Sequence, residues 1–291
     1  GAKDLSQIRV GDTLVDAKDE KPIILSGYKE PQPTVFSSIY PSDSDDYTKL
    51  RDSLDKYVLN DASFIYEPET SSAFGFGFRC GFLGLLHMEI ILERLEREYS
   101  LSIISTSRSV EYRLTLTNGQ MENVDNPSDV PPLNQLESIE EPYLLASIIT
   151  PSNYTGALMD LCQSRRGELV KMEYLSPERV ELSYRLPLAE VVLDFFDQMK
   201  SSTQGYASMD YESAGYSKSD LVKVEILLQG DSVDAFSSIV HREKSYEYGQ
   251  KMTKKLRELI PRQQFDVPIQ AAISSKIISR ETVKAYRKLS E

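Results

Sequence analysis

Cys80 and His87 stand seven residues apart in GFGFRCGFLGLLHMEIILERLEREY, the stretch from Gly75 to Tyr99, and they raise the question of a thiol nucleophile. An imidazole can activate a thiol for acyl transfer, but such a pair needs a third group to orient the base. No feature of the sequence supplies that group, and a partly buried structural histidine is the plainer reading of His87. Glu67, Glu69 and Glu89 could form paired acids. His87 and Glu89 are close in sequence, yet side chains at i and i+2 of a helix do not converge. Cys80 and Cys162 show no metal-ligand spacing and fit reduced thiols in a cytoplasmic protein. The dinucleotide fingerprint GxGxxG fails at Cys80, and the phosphate-binding form GxxxxGK[ST] does not occur.

The elements that would carry these residues follow from periodicity. From Leu85 the pattern is helical, with Leu85, Met88, Ile91, Leu92 and Leu95 on one stripe and charged residues elsewhere. Upstream, TVFSSIY reads as a strand, 47–59 as a helix with Leu50, Leu54, Tyr57 and Val58 on one face, and ASFIYEPET and AFGFGF as strands. LSIISTS closes the set, so residues 34–107 have the βαββαβ order of a ferredoxin-like unit. Residues 108–140 carry a hairpin signal at Asn118-Gly119, expected as a type I′ turn, and then a proline-rich stretch with the composition of a mobile linker. Residues 141–228 repeat βαββαβ. PYLLASIITP is the first strand, 152–165 a helix with Gly167 as its left-handed cap, ELVKMEYL and VELSYRL strands, 188–199 a helix, and LVKVEILL the closing strand. Residues 1–33 read as short strand pieces, VGDTL and PIIL, and are expected to be the end of a domain that starts elsewhere. In 229–291 a short helix over 232–241, a basic helix over 246–259 and a Lys/Arg-studded helix from about Arg280 are expected.

Composition bounds the function. Forty per cent hydrophobic and 27% charged residues suit a soluble protein with real cores, and no run of 18 apolar residues exists to span a membrane. The net charge of −12 is uneven. From residue 241 onward there are 12 lysines and arginines against 6 acids, a net of +6, which leaves −18 on the rest. A basic end can contact phosphate where an acidic body cannot, although a charged run is most often a solvated face.

The segment GLLHMEIILERLEREY, preceded by FGFRCGF, resembles the third domain of translational GTPases of the elongation factor G class, and most closely the LepA, or elongation factor four, branch. The second unit resembles the fifth domain of elongation factor G. Its family pattern appears as Glu141-Pro142, Thr150 to Gly156, Arg165-Arg166-Gly167, Pro187 to Glu190 and Thr203 to Ser208. Pro187 also suits a helix start, and Arg165-Arg166 a helix C-terminus, on local grounds alone. As in LepA, no large fourth domain separates the two units, and LIPRQQFDVPIQAAISSKIISRETVKAYRK resembles the opening of a C-terminal domain found in that branch.

The resemblance implies an α+β chain. It would comprise a remnant of a β-barrel domain over 1–33, ferredoxin-like domains over 34–107 and 141–228, a hairpin and linker over 108–140, and a truncated C-terminal domain over 229–291. The GTPase domain is expected to be missing at the front and a Lys-rich tail at the back. The intact family member binds GTP and Mg, hydrolyses GTP on the ribosome and acts on its tRNA-bound state, with back-translocation or fidelity proposed. This chain alone is then expected to be a monomeric ribosome-binding fragment with no catalytic residue, no cofactor and no small-molecule substrate, cytoplasmic or peripheral on the membrane. The residues expected to meet rRNA are Lys251, Lys254, Lys255, Arg262, Lys276, Arg280, Lys284, Arg287 and Lys288, with Arg165 and Arg166 second. The competing reading from another class is a tandem ferredoxin-like regulator with a ligand pocket between its sheets.

Overall fold

The computed structural model describes residues 12, 13, 15, 16, 18, 23 and 31–286. The barrel remnant expected over 1–33, and Arg287 and Lys288, lie almost entirely or wholly outside the described residues. The chain divides into two compact units, 1–106 and 107–291.

In the first unit, β1 (Val35–Pro41), α1 (Tyr47–Val58), β2 (Ile65–Ser71), β3 (Gly75–Phe82), α2 (Leu85–Tyr99) and β4 (Ile103–Ser105) follow in order. The strands form an antiparallel sheet in the order β2-β3-β1-β4, the ferredoxin-like arrangement expected from periodicity. Leu50, Leu54 and Tyr57 of α1 and Met88, Ile91 and Leu95 of α2 are buried. The glycines of β3 have a packing reason. A Cβ on Gly77 would lie 2.3 Å from the Tyr40 ring and 2.5 Å from the Ile39 carbonyl, and one on Gly81 2.7 Å from Ile65. Neighbouring side chains therefore sit directly on the strand backbone, and the glycine-rich stretch is a strand rather than a turn for phosphate.

The second unit opens with the hairpin β5 (Tyr112–Leu116) and β6 (Met121–Val124). Gly119 takes φ +83° while Asn118 does not take a positive φ, and the Gly119 N–H donates to Leu116 O at 2.8 Å. The turn is thus a type I turn followed by a left-handed glycine, not the expected type I′. Next come β7 (Leu136–Pro151), α3 (Thr155–Ser164), β8 (Glu168–Ser176), β9 (Arg179–Pro187), α4 (Leu188–Val191), α5 (Phe195–Ser202) and β10 (Ser208–Ser219). The ferredoxin-like order is β10-β7-β9-β8, and β5 pairs with the first residues of β7 to extend the sheet. Leu144, Ile148, Leu158, Leu182, Leu186, Phe195 and Met199 form its core. Burying side chains of this size contributes roughly 1.5–3 kcal/mol each.

Two expectations fail here. The closing strand is β10, not LVKVEILL. The stretch expected as a linker is built in: Val124, Val130 and Ile139 are buried, and Lys223 Nζ donates to Ser128 O at 3.1 Å. Pro127 opens a 3-10 turn, Pro127–Asp129, within this stretch.

LVKVEILL is β11 (Leu221–Leu228) of a third antiparallel sheet. The sheet also holds β12 (Asp231–Ser232), β13 (Ser238–His241), β14 (Val267–Ile273) and β15 (Lys276–Val283), with α6 (Arg242–Leu259) packed on it. Val222, Val224, Ile226, Leu256, Ile269 and Ala271 make the core. The helix expected over 232–241 is two short strands around a 3-10 turn, Asp234–Phe236. The helix expected from about Arg280 is also absent, because Lys276–Val283 is a strand. Ile277, Ile278, Thr282 and Val283 are β-branched, and the chain turns back onto β14 through Ser274 at φ +53°.

Candidate nucleic-acid interface

Cys80 lies in the middle of β3 with no exposed surface, and burial pushes its thiol well above the ordinary range. Its Sγ donates to Phe78 O at 3.7 Å. His87 is held elsewhere. The Leu83 N–H donates to its Nδ1 at 2.9 Å, which leaves Nε2 to donate to Asp61 at 2.7 Å, and the ring meets Phe82 edge to face. Burial would raise the Asp61 carboxyl, but hydrogen bonds from Ser63 and His87 outweigh it and hold it below its usual value. The pair fastens the start of α2 to the loop after α1. This corrects the thiol-enzyme possibility: the thiol is a packed core group and the imidazole a structural one.

Arg165 and Arg166 end α3 in an arrangement unlike the expected cap. The left-handed residue is Arg166, at φ +60°, and not Gly167. The Gly167 N–H donates to Cys162 O at 2.8 Å and the Arg166 N–H to Gln163 O at 3.1 Å, the bonds of a Schellman motif. Gly167 serves close approach, since a Cβ there would lie 2.7 Å from both Cys162 O and Leu186.

The Arg166 guanidinium reaches Glu141 through two bonds of 2.6 and 3.0 Å and Glu190 at 2.9 Å. Glu141 is fully buried, and the Glu190 side chain is 12% exposed. Burial works against the charge on Arg166, but these two carboxylates outweigh it and drive its pKa upward. Arg165 bonds Asp194 at 2.6 Å. Lys244, at the start of α6, donates to Ser164 O at 2.7 Å and to both oxygens of Glu190 at 3.3 Å. Three motifs read separately in the sequence, around Glu141, Arg166 and Glu190, therefore converge on one ion-pair cluster. Lys244, which sequence reasoning missed, ties α6 to it. Both arginines are committed to this cluster and present little free charge outward.

The cations that face solvent lie on α6. Ser245, Gly249, Thr253 and Leu256 turn one side of the helix to the sheet. Lys251, Lys254 and Lys255 fall on the exposed side, one turn apart, and no carboxylate pairs with them among the described residues. Arg262 is exposed in the loop that follows. Of the other candidates, Lys276, Arg280 and Lys284 are among the described residues, and they do not join this face. Arg280 stands opposite Gln270, whereas its neighbours Ser279 and Glu281 turn to α6 and bond Thr253 and Arg257. Lys276 sits at the hairpin end opposite Ile273, and Lys284 pairs with Asp266 at 2.9 Å.

A cleft of about 170 Å³ between Pro131, Leu133, Ile139 and Lys223 bears on the ligand-sensing alternative, and its cation is already engaged by backbone carbonyls. No group of three or more His, Cys, Asp or Glu that could hold a metal ion occurs among the described residues. No helix among the described residues is long and apolar enough to cross a membrane.

By comparison with known families, the two ferredoxin-like units and the helix-backed third sheet correspond to domains of translational GTPases. The family model for elongation factor G domain III matches residues 30–106, that for the elongation factor G C-terminus 138–227, and that for the C-terminus of the GTP-binding protein LepA 228–289. The chain belongs to the Elongation factor 4, or LepA, family. Relatives of that name from Thermobifida fusca and Mycobacterium tuberculosis are each 59% identical over 99% of this chain, and one from Bifidobacterium animalis is 57% identical over 99%. The match takes up 47%, 44% and 46% of those relatives, so the chain spans about half the length of the curated relatives it matches.

Proposed function

We propose that this chain is the ribosome-binding part of an Elongation factor 4-type translation factor and that it meets rRNA through the exposed face of α6. The observation that carries the reading is the trio Lys251, Lys254 and Lys255, solvent-facing and unpaired by carboxylates among the described residues, on a chain that is otherwise strongly acidic. Arg262 extends the contact, with Lys276, Arg280, Lys284, Arg287 and Lys288 in support. Arg165 and Arg166 act indirectly, by holding α6 through Glu190 and Lys244. Phosphate contacts of this kind supply affinity and register but little sequence choice. GTP binding with Mg, and GTP hydrolysis, belong on this reading to the full-length factor, which works in the cytoplasm on the tRNA-bound ribosome in back-translocation or fidelity. The fragment itself carries no catalytic step.

Co-sedimentation with ribosomes over a salt series tests this. Each phosphate contact contributes roughly 0.7–0.9 to the slope of log affinity against log salt. Changing Lys251, Lys254 and Lys255 together to Ala should weaken binding and lower that slope by about 2–3. Binding equal to the parent at every salt concentration refutes the assignment of α6.

A further inference from the structure

Strand β8 is the outer edge of the second sheet and pairs on one side only, with β9. All nine of its residues are exposed, and Leu169, Val170, Met172, Tyr174 and Leu175 among them are large and apolar, each 37–62% exposed. A bare, apolar edge recruits another strand, and proteins ordinarily shorten, charge or cover such edges. The β8–β9 ladder is irregular between Leu169 and Lys171 and between Tyr174 and Ser176, which leaves Lys171 to Tyr174 regular.

The charges on this edge select the partner. Read in both directions from Met172, the regular stretch is its own complement: Lys171 falls against Glu173, and apolar residues, Leu169 and Val170 on one side and Tyr174 and Leu175 on the other, flank the charges. Residues directly opposite in an antiparallel pair share a face, and opposite charges there attract. Within one chain Lys171 and Glu173 already bond each other on a common face. An edge lysine alone would repel a second copy of its own strand. Here the second copy brings a glutamate to each lysine.

We infer that two copies of this chain pair through β8, antiparallel about a twofold axis at Met172, to form one continuous sheet. The contact is isologous, so the Lys171–Glu173 pair occurs twice, with apolar residues flanking it at both ends. This departs from the monomer expected from the sequence and is independent of ribosome binding.

Sedimentation velocity over a concentration series is the test, with circular dichroism to establish that each variant is folded. The parent should show a concentration-dependent dimer. Lys171→Glu alone and Glu173→Lys alone each create two like-charge contacts and should weaken association about tenfold or more. The double variant K171E/E173K should restore it, and an equimolar mixture of the two single variants should associate more tightly than either alone. A parent that stays monomeric throughout overturns the inference and leaves the edge to an extended segment of another polypeptide. Single variants that dimerise like the parent, or a double variant that fails to recover, overturn the register and with it the proposal.

Discussion

Replacement of Arg166 separates two effects that the structure superimposes at one residue. The guanidinium neutralises Glu141, which has no exposed surface, through a two-bond fork, and it also bonds Glu190. Arg166→Ala leaves a buried carboxylate without its partner, a loss of about 3–5 kcal/mol. Alanine keeps a Cβ in the left-handed region at φ +60°, as arginine does, so that strain is unchanged. Arg166→Gly removes the same fork but relieves about 1 kcal/mol of strain. Arg166→Ala should therefore lower the unfolding midpoint of the second unit by on the order of 10 °C, at roughly 2–4 °C per kcal/mol for a unit of this size. Arg166→Gly should sit about 1 kcal/mol above it. Thermal melts followed by far-ultraviolet circular dichroism give the shift in midpoint, and urea unfolding gives the two losses in free energy. A loss under 1 kcal/mol for Arg166→Ala, or equal stabilities for the two variants, refutes the reasoning.

The remaining predictions concern the first unit and two glycines, one in a strand and one in a helix. The Asp61 carboxyl is held below its ordinary value, so its contribution to stability is present above about pH 4 and is lost as pH falls through its folded value. Parent and Asp61→Asn should thus differ most in urea midpoint at pH 7, and the gap should narrow as pH is lowered below about 4; a gap that does not change with pH would count against the hydrogen bonds that hold Asp61 ionised. Gly77→Ala should destabilise the first unit by about 1–3 kcal/mol, because the added methyl meets Tyr40 and the Ile39 carbonyl. Gly156→Ala, in α3 with nothing within 4 Å of the new Cβ, should stabilise the second unit by about 0.5–1 kcal/mol in thermal melts. The opposite signs at these two glycines would show the packing account to be mistaken.

What the sequence revealed depended on whether a signal was local. The stripe of Met88, Ile91 and Leu95 and the order of apolar runs around it disclosed the first unit. The closing strand of the second unit escaped, because β10 reads SMDYESAGYSKS, a largely exposed edge strand with no clean alternation, while LVKVEILL has the apolar pattern of a buried strand. The spacing of Lys276, Arg280 and Lys284 suggested a helix, yet a period of four is also a multiple of the strand period of two. The site divided in the same way. The lysines of α6 were readable from local charge. The cluster that positions the helix was not, since Glu141 and Glu190 lie 25 and 24 residues from Arg166 on either side and nothing local announces that they meet.

The length of β7 bears on how this chain is made. Its sixteen residues are shared out: the first few pair with β5, most of the rest with β9, and the other side with β10 from Ile139 to Ile149. During synthesis β7 emerges after its hairpin partner, waits through α3 for β9, and gains its last neighbour only when Ser219 has left the ribosome. The loop closed by that final pairing is long, which makes sheet completion a slow, non-local step. Until then one side of the central strand offers unpaired backbone to any other nascent chain. The order of translation thus sets the interval during which the second unit is exposed to misassembly.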